Sequence, residues 1–450
     1  MKIEGLEFLV LGLGRSGFAA AKFLAEHGAR VTAIDSAEEH KLRTDLKLLR
    51  KIGVQIFTKD NAIRRLEGKD MVIVSPGITT SHPIINGARR VGIPVLGEVE
   101  LAYRFCPADI IAVTGTNGKS TTCSLIGEIL KHAGIACAVA GNIGAPFTSI
   151  LPVKVQAVVV EISSYQLEMV DTFNPHIAVW LNLTPDHLAR HGNMDGYGAA
   201  KARIFERHSE NDVLIYNDDD EYVTEFVINA LGVKMPFSRL TSAAVFLENG
   251  ILKYNWRNRK GEIIPANEIK IKGLHNLENA LAAAAAALAY NIDPQIINTT
   301  LREFPGIEHR QELVTSINSV TYINDSKATN LDSTLKALET FDPPIILIAG
   351  GMGKGESYEP AAKLIEQKVK TIIALGQAAP QIIRELSPYT ETLFVRTMED
   401  AVREAAKIAR PGDKVLLSPM CASFDLFLDF EERGRIFKSL VMSLKDDADQ

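Results

Sequence analysis

The run Val113-Thr114-Gly115-Thr116-Asn117-Gly118-Lys119-Ser120-Thr121-Thr122 restricts this chain more than any other stretch. It follows the apolar segment Asp109–Val113, which is of strand length, and leads into Cys123–Leu130, whose apolar spacing is helical. A strand, a glycine turn and a helix start build a phosphate cradle. Amides at a helix N-terminus point outward with partial positive charge, and Gly115 and Gly118 let the chain close on an anion. Lys119 can reach terminal phosphates and the Ser120 hydroxyl can ligate Mg²⁺. The usual loop of this kind has glycine where this chain has Val113, so a variant P-loop is expected.

Two further segments repeat the theme of apolar strand, glycine turn and helix. The first, over about 1–98, opens with Phe8–Gly17 and has later strand-like runs at Arg30–Asp35, Met71–Ile78 and Pro94–Leu96. The P-loop segment adds the runs Ala157–Glu161 and Ile177–Asn182, then shorter strands from Asp212 to Ile271, and closes with an alanine-rich helix around Asn279–Tyr290. The last begins at the turn Phe304-Pro305-Gly306 and carries strands at Pro344–Ala349, Thr371–Leu375 and Lys414–Ser418. Strands alternating with helices predict an α/β chain with parallel sheets covered on both faces. Ligands in such folds lie beyond the carboxyl ends of the strands. Three domains are expected: 1–98, Rossmann-like; 99–304, a central P-loop ATPase domain; and 305–450, Rossmann-like again.

A chain of 450 residues exceeds a single core. Its net charge of −6, without a local Lys/Arg cluster, argues against a nucleic-acid partner. Cys106, Cys123, Cys137 and Cys421 share no metal-type spacing, so reduced thiols in a cytoplasm are expected. The longest low-polarity stretch, Ala280–Tyr290, is about half of what a membrane crossing needs. No membrane insertion is expected.

Gly12-Leu-Gly14-Arg-Ser-Gly17, with Asp35 closing the next strand, suits a nucleotide-linked ligand, NAD among them. Glu161 ends an apolar strand, where an acid can hold Mg²⁺ beside Ser120. Thr184-Pro-Asp-His187 follows another strand end and could serve metal or substrate, whereas Lys201 reads as a solvated helix lysine. Asn324–Asn330, with both charges after a strand, suggests a site, and Gly350-Gly-Met-Gly-Lys354-Gly355 is a second glycine cradle.

Taken together, Thr114–Thr121, Glu161-Ile-Ser-Ser-Tyr-Gln-Leu-Glu168, Thr184–His187 and Gly273-Leu-His-Asn-Leu-Glu-Asn-Ala280 resemble the Mur ligases of peptidoglycan synthesis over essentially the whole chain. Asn324–Asn330 and Leu417-Ser-Pro-Met-Cys-Ala-Ser-Phe-Asp425 resemble the branch that adds D-glutamate to UDP-N-acetylmuramoyl-L-alanine. The resemblance implies ATP, two Mg²⁺ sites, those two substrates and a monomer. It implies that Gly115, Thr116, Asn117, Gly118, Lys119, Ser120, Thr121, Asn279, Arg310 and Asp325 bind ATP, with His309 nearby. Ser120, Glu161, His187 and Lys201 would hold metal. Lys201 would be carbamylated, which reverses its plain reading as a solvated lysine, and Lys327 would assist the intermediate. Gly14, Arg15, Ser16, Asp35, Ser36, Ser75, Gly77, Asn142 and Ser163 would follow the UDP-sugar. Thr329, Lys354, Ser423 and Phe430 would take D-glutamate. Arg15, Met352 and Phe424 depart from the family pattern, which touches substrate contacts and not the reaction.

Overall fold

The computed structural model describes residues 2–42, 44–60, 63–353 and 355–448. The chain divides into two compact units, Met1–Ile269 with Leu277–Glu303, and Lys270–Asn276 with Phe304–Gln450.

The first unit holds two sheets. One has five parallel strands in the order Gln55–Thr58, Arg30–Asp35, Glu7–Leu11, Met71–Val74, Val95–Gly97. The chain winds outward from the centre on one side and then crosses to the other, which is the Rossmann half-fold with its switch point beside Glu7–Leu11. Phe8, Leu9 and Val10 are all fully buried. That is why this strand reads as an unbroken apolar run rather than an alternating one. The helix Arg15–Glu26 starts directly on the turn after it. A Cβ on Gly17 would lie 1.9 Å from the Gly12 carbonyl oxygen, so only glycine allows so close a start.

The second sheet has nine strands. Its parallel part runs Val245–Glu248, Val233–Ser238, Val213–Asn217, Ile177–Trp180, Asp109–Thr114, Ala157–Glu161, Cys137–Gly141. The strand before the P-loop therefore lies between the strands ending at Glu161 and at Trp180. Val113 is fully buried in that strand, opposite Glu161 and Val179. A β-branched residue fits this position, since the turn starts only after Thr114.

The sheets are not parallel throughout. Val245–Glu248, Ile251–Trp256 and Arg259–Pro265 form an antiparallel meander. Their two-residue connections, Asn249-Gly250 and Arg257-Asn258, all have positive φ, as a tight hairpin turn requires. Asn318-Ser319 does the same in the second unit, between Glu312–Ile317 and Val320–Asn324.

The second unit's sheet runs Glu312–Ile317, Val320–Asn324, Lys414–Leu417, Ile345–Gly350, Val369–Leu375, Glu391–Phe394. All but the first strand are parallel, and Ile345–Ala349 is wholly buried. Each buried Ile or Leu there contributes roughly 1.5–3 kcal/mol, so the strand interiors carry stability and leave the strand-end loops free for polar residues. Among the described residues, no helix is long and apolar enough to cross a membrane.

Candidate active site

The P-loop turn occupies Gly115–Gly118, and Lys119 opens the helix Lys119–His132. Gly118 has φ +84, and a Cβ there would stand 2.2 Å from Asn279 Oδ1. Asn279 Oδ1 also accepts the Thr122 hydroxyl at 3.3 Å, so the alanine-rich helix Leu274–Ala289 supplies one wall of the turn. That helix begins before the expected start at Asn279 and reaches back over part of the Gly273–Ala280 motif. The opposite wall is Asn182, whose side chain accepts the Asn117 amide at 2.9 Å and donates to the Asn117 carbonyl at 3.2 Å.

Ser120 and Glu161 meet as the register demands. The Ser120 hydroxyl donates to Glu161 Oε2 at 2.7 Å, and Asn142 Nδ2 donates to Glu161 Oε1 at 2.8 Å. A hydroxyl and a buried carboxylate in contact are hard oxygen donors, the set that Mg²⁺ prefers, and they fit that ion. Beside them the Thr121 hydroxyl is buried with no hydrogen-bond partner, an unused polar group at the helix start.

Lys119 Nζ bends back onto its own loop, donating to the carbonyls of Gly115 at 2.9 Å and Thr116 at 2.7 Å. Lys201 is not solvated, contrary to its plain sequence reading. It is 1% exposed, donates to the Gly115 carbonyl at 2.8 Å and lies 4.5 Å from the centre of the Tyr197 ring. Burial holds its ammonium pKa well below the usual lysine range, and the nearby Lys119 charge adds to that. The helix runs Met194–Ala202, and that Lys201 sits on a helix was legible. Which side of the helix faces inward was not.

His187 adopts φ 54, uncommon for a residue with a side chain, just before the helix Leu188–His191. Its ring packs against Tyr165 with centroids 4.9 Å apart. Ser163 caps the short helix Ser164–Leu167, accepting the Gln166 amide at 3.3 Å. In the first sheet, Gly14, Arg15 and Ser16 lie at the start of Arg15–Glu26. The two oxygens of Asp35 accept the amides of Leu13 at 2.7 Å and Ala37 at 2.8 Å. The carboxylate thus braces the glycine turn, while a carboxylate has about four acceptor positions in all. Ser36 is exposed next to it. Ser75 closes onto the same turn, donating to the Gly12 carbonyl at 3.0 Å, with Gly77 two residues on. The Arg15 guanidinium reaches the Gly144 carbonyl, two residues past Asn142.

In the second unit the loops after three adjacent parallel strands converge. Asp325 is buried, and burial pushes its carboxyl up to about 7 against the opposing pull of Ser418 and Arg310. The Ser418 hydroxyl donates to Asp325 Oδ2 at 2.7 Å, and the Gln311 amide to Oδ1 at 3.2 Å. Lys327 Nζ stands 5.6 Å from the Phe430 ring centre, and the Lys327 amide donates to the His309 carbonyl at 3.0 Å. Thr329 follows two residues later, its amide on the Lys327 carbonyl, and Ser423 is buried on the third loop. Lys354 lies outside the described residues.

Two arginines escaped the sequence reading. Arg433 is 1% exposed and joins the loops, donating to Ser326 Oγ at 2.9 Å, Ser326 O at 2.8 Å and Cys421 O at 3.2 Å. Burial lowers its pKa to about 10. Nothing in Glu431-Glu432-Arg433 distinguishes it from a solvated helix start. Arg190 is the other, and its spacing of three from His187 was the available signal. Glu308, His309 and Glu312 offer ligand atoms within 4.8 Å of one another. Lys438 Nζ already bridges the two carboxylates, at 2.9 and 2.5 Å.

Phosphate-cradling turn, buried acid and strand-end loops of this kind define a P-loop nucleotide-dependent enzyme of the α/β class. The chain matches the family models described as Mur ligase MurD-like, N-terminal domain, over residues 6–97; Mur ligase middle domain, over 113–287; and Mur ligase, glutamate ligase domain, over 309–421. It is 44% identical to the UDP-N-acetylmuramoylalanine--D-glutamate ligase of Caldicellulosiruptor saccharolyticus, covering 99% of this chain and 100% of that one. It is 42% identical to the ligase of the same name from Koribacter versatilis, over 99% of each. The UDP-N-acetylmuramate-alanine ligase MurC of Thermotoga maritima superposes with a TM-score of 0.61 at 21% identity, over 98% of this chain and 100% of that one. The MurF ligase of Thermotoga maritima in complex with ADP gives 0.60 at 15%, over 98% and 96%. The chain belongs to the Mur ligase family. It is a three-domain α/β ligase.

Proposed function

We propose that this protein is an ATP-dependent ligase that adds D-glutamate to UDP-N-acetylmuramoyl-L-alanine, a cytoplasmic step of peptidoglycan precursor synthesis. The observation that carries the reading is the P-loop hydroxyl of Ser120 seated on buried Glu161, within a chain 44% identical end to end to a ligase of that name. A carboxylate is a poor electrophile because it lacks a good leaving group. Transfer of the γ-phosphoryl group of ATP to the alanine carboxylate gives an acyl phosphate and ADP. The D-glutamate amine then attacks the carbonyl carbon, the amine loses a proton, and phosphate leaves with the C–O bond electrons.

Lys119 and the amides of Gly115–Thr121 take the phosphate charge, with Asn279, Arg310 and Asp325 at the nucleotide. Ser120 and Glu161 would hold one Mg²⁺, and His187 with Lys201 a second. When bound, these ions offset the repulsion between carboxylate and triphosphate. Depressed basicity supports carbamylation of Lys201: a neutral amine can add to CO₂, losing a proton to become a carbamate anion. Residues 1–98 would take the sugar nucleotide through Gly14, Arg15, Ser16, Asp35, Ser36, Ser75 and Gly77, with Asn142 and Ser163 farther along it. Residues 99–304 would take ATP. Residues 305–450 would take D-glutamate through Thr329, Lys354, Ser423 and Phe430, with Lys327 beside the tetrahedral intermediate. The protein would act as a monomer. Phosphate release that requires both D-glutamate and the UDP-sugar tests the reading; release that ignores either one would refute it.

A further inference from the structure

Arg190 lies three residues past His187, and its side chain is 13% exposed. Its Nε donates to both oxygens of Glu168 at 3.1 Å, and Nη2 donates to Glu168 Oε2 at 2.6 Å. The same Nη2 donates to the Ile78 carbonyl at 2.9 Å. Ile78 closes the turn that starts at Ser75, its amide donating to the Ser75 carbonyl at 3.0 Å. On its flat face, Arg190 Cζ stands 4.1 Å from the centre of the Tyr165 ring, and that ring packs on His187 at 4.9 Å. One guanidinium therefore touches the strand-end turn of the first sheet and, through Tyr165, the left-handed turn at His187. The left-handed turn at His187 is held locally, its carbonyl accepting the Arg190 amide at 3.0 Å and the His191 amide at 3.2 Å and its amide donating to Asp186 Oδ1 at 2.8 Å, while the direction of its ring is set by packing on Tyr165.

We propose that Arg190 is a positioning residue that fixes the Ser75–Ile78 turn and the His187 ring relative to one another. Sugar-nucleotide binding and metal binding at His187 then share one anchor. The inference rests on the function proposed above. It needs the planar fork of arginine: a lysine ammonium cannot donate in parallel to Glu168, reach Ile78 and stack on Tyr165 at once.

The test uses full-length wild type, Arg190→Lys and Glu168→Gln. Three quantities are measured: calorimetric affinity for UDP-N-acetylmuramoyl-L-alanine without metal, Mn²⁺ affinity by electron paramagnetic resonance with a non-hydrolysable ATP analogue, and KM for D-glutamate. Arg190→Lys should weaken the sugar nucleotide about tenfold, the factor that one lost charge-assisted hydrogen bond carries. It should weaken Mn²⁺ by about tenfold as well, as loss of outer-shell support does. KM for D-glutamate should stay within about twofold. Glu168→Gln keeps the Arg190 charge and should shift both affinities in the same direction by less; it decides the matter if Arg190→Lys does not fold. A melting temperature that falls while either affinity stays within about twofold of wild type would overturn the proposal, since a purely structural role moves stability alone. Wild type that binds no UDP-sugar would instead refute the proposed function.

Discussion

Gly118→Ala tests the P-loop geometry with a single methyl group. Two separable penalties are expected. At φ +84 an alanine pays roughly 1–2 kcal/mol for the left-handed backbone. Its Cβ would also stand 2.2 Å from Asn279 Oδ1, well inside contact distance, so Asn279 must shift and give up the Thr122 hydroxyl. Overpacking of that kind costs about 1–3 kcal/mol. The sum, about 2–5 kcal/mol, is a sizeable part of a typical domain's stability. Gly134 supplies the control, because it follows the same helix at φ +75 with nothing within 4 Å of where a methyl would sit. Gly134→Ala should show the backbone penalty alone. Melting temperature and KM for ATP are measured for Gly118→Ala, Gly134→Ala, Asn279→Ala and the Gly118→Ala/Asn279→Ala pair. Gly118→Ala should lower the melting temperature more than Gly134→Ala and raise KM for ATP at least about tenfold, which Gly134→Ala should not. In the pair, removing Asn279 should recover part of the stability lost, a coupling that a double-mutant cycle isolates. Equal melting temperatures for the two alanine variants, or additivity in the cycle, would refute the steric account.

Three further outcomes are expected. Lys119→Ala should lower kcat by roughly two orders of magnitude or more in a phosphate-release assay, and near-normal turnover would remove this loop from ATP chemistry. Lys201→Ala should lose most activity, with partial recovery in excess bicarbonate or a short carboxylate; intact-mass measurement showing only free amine in active wild type would reject carbamylation. Glu98 is buried with Oε1 on the Thr148 amide and hydroxyl and Oε2 without a partner, and burial pushes its carboxyl from 4.5 up to about 7. Between those values the folded state holds a proton that the unfolded chain releases, so wild-type stability falls as pH rises through about 7. Glu98→Gln lacks that slope, and its melting temperature should gain on wild type from about pH 5 to pH 8. Parallel curves would show that Glu98 is not the titrating group.

The geometry of the candidate site was legible where chemistry and periodicity coincide. A glycine turn between a buried strand and a helix has few uses, so Gly115–Ser120 announced itself, and Glu161 followed because it ends the next strand. The fold class was legible for the same reason, since buried parallel strands leave apolar runs. The plain reading of Lys201 as solvated failed because a helix shows its polar residues but not which neighbours its sides will meet; its acceptor, the Gly115 carbonyl, is 86 residues away. Arg433 was invisible because its partners are the carbonyls of Ser326 and Cys421, which any residues would offer, and one serine hydroxyl 107 residues away. The antiparallel edge carries a sequence mark in Asn249-Gly250, a hairpin turn pair that went unread in the sequence.

The Gly115 carbonyl accepts from two lysine side chains, Lys119 at 2.9 Å and Lys201 at 2.8 Å. One oxygen thus couples the lysine proposed to take phosphate to the lysine proposed to carry a carbamate. An anion that draws Lys119 off this oxygen, or CO₂ that converts the Lys201 amine, leaves the carbonyl to the other side chain. Thermodynamic linkage makes that coupling mutual: by whatever factor carbamylation of Lys201 changes the affinity of the loop for phosphate, phosphate changes the carbamylation equilibrium.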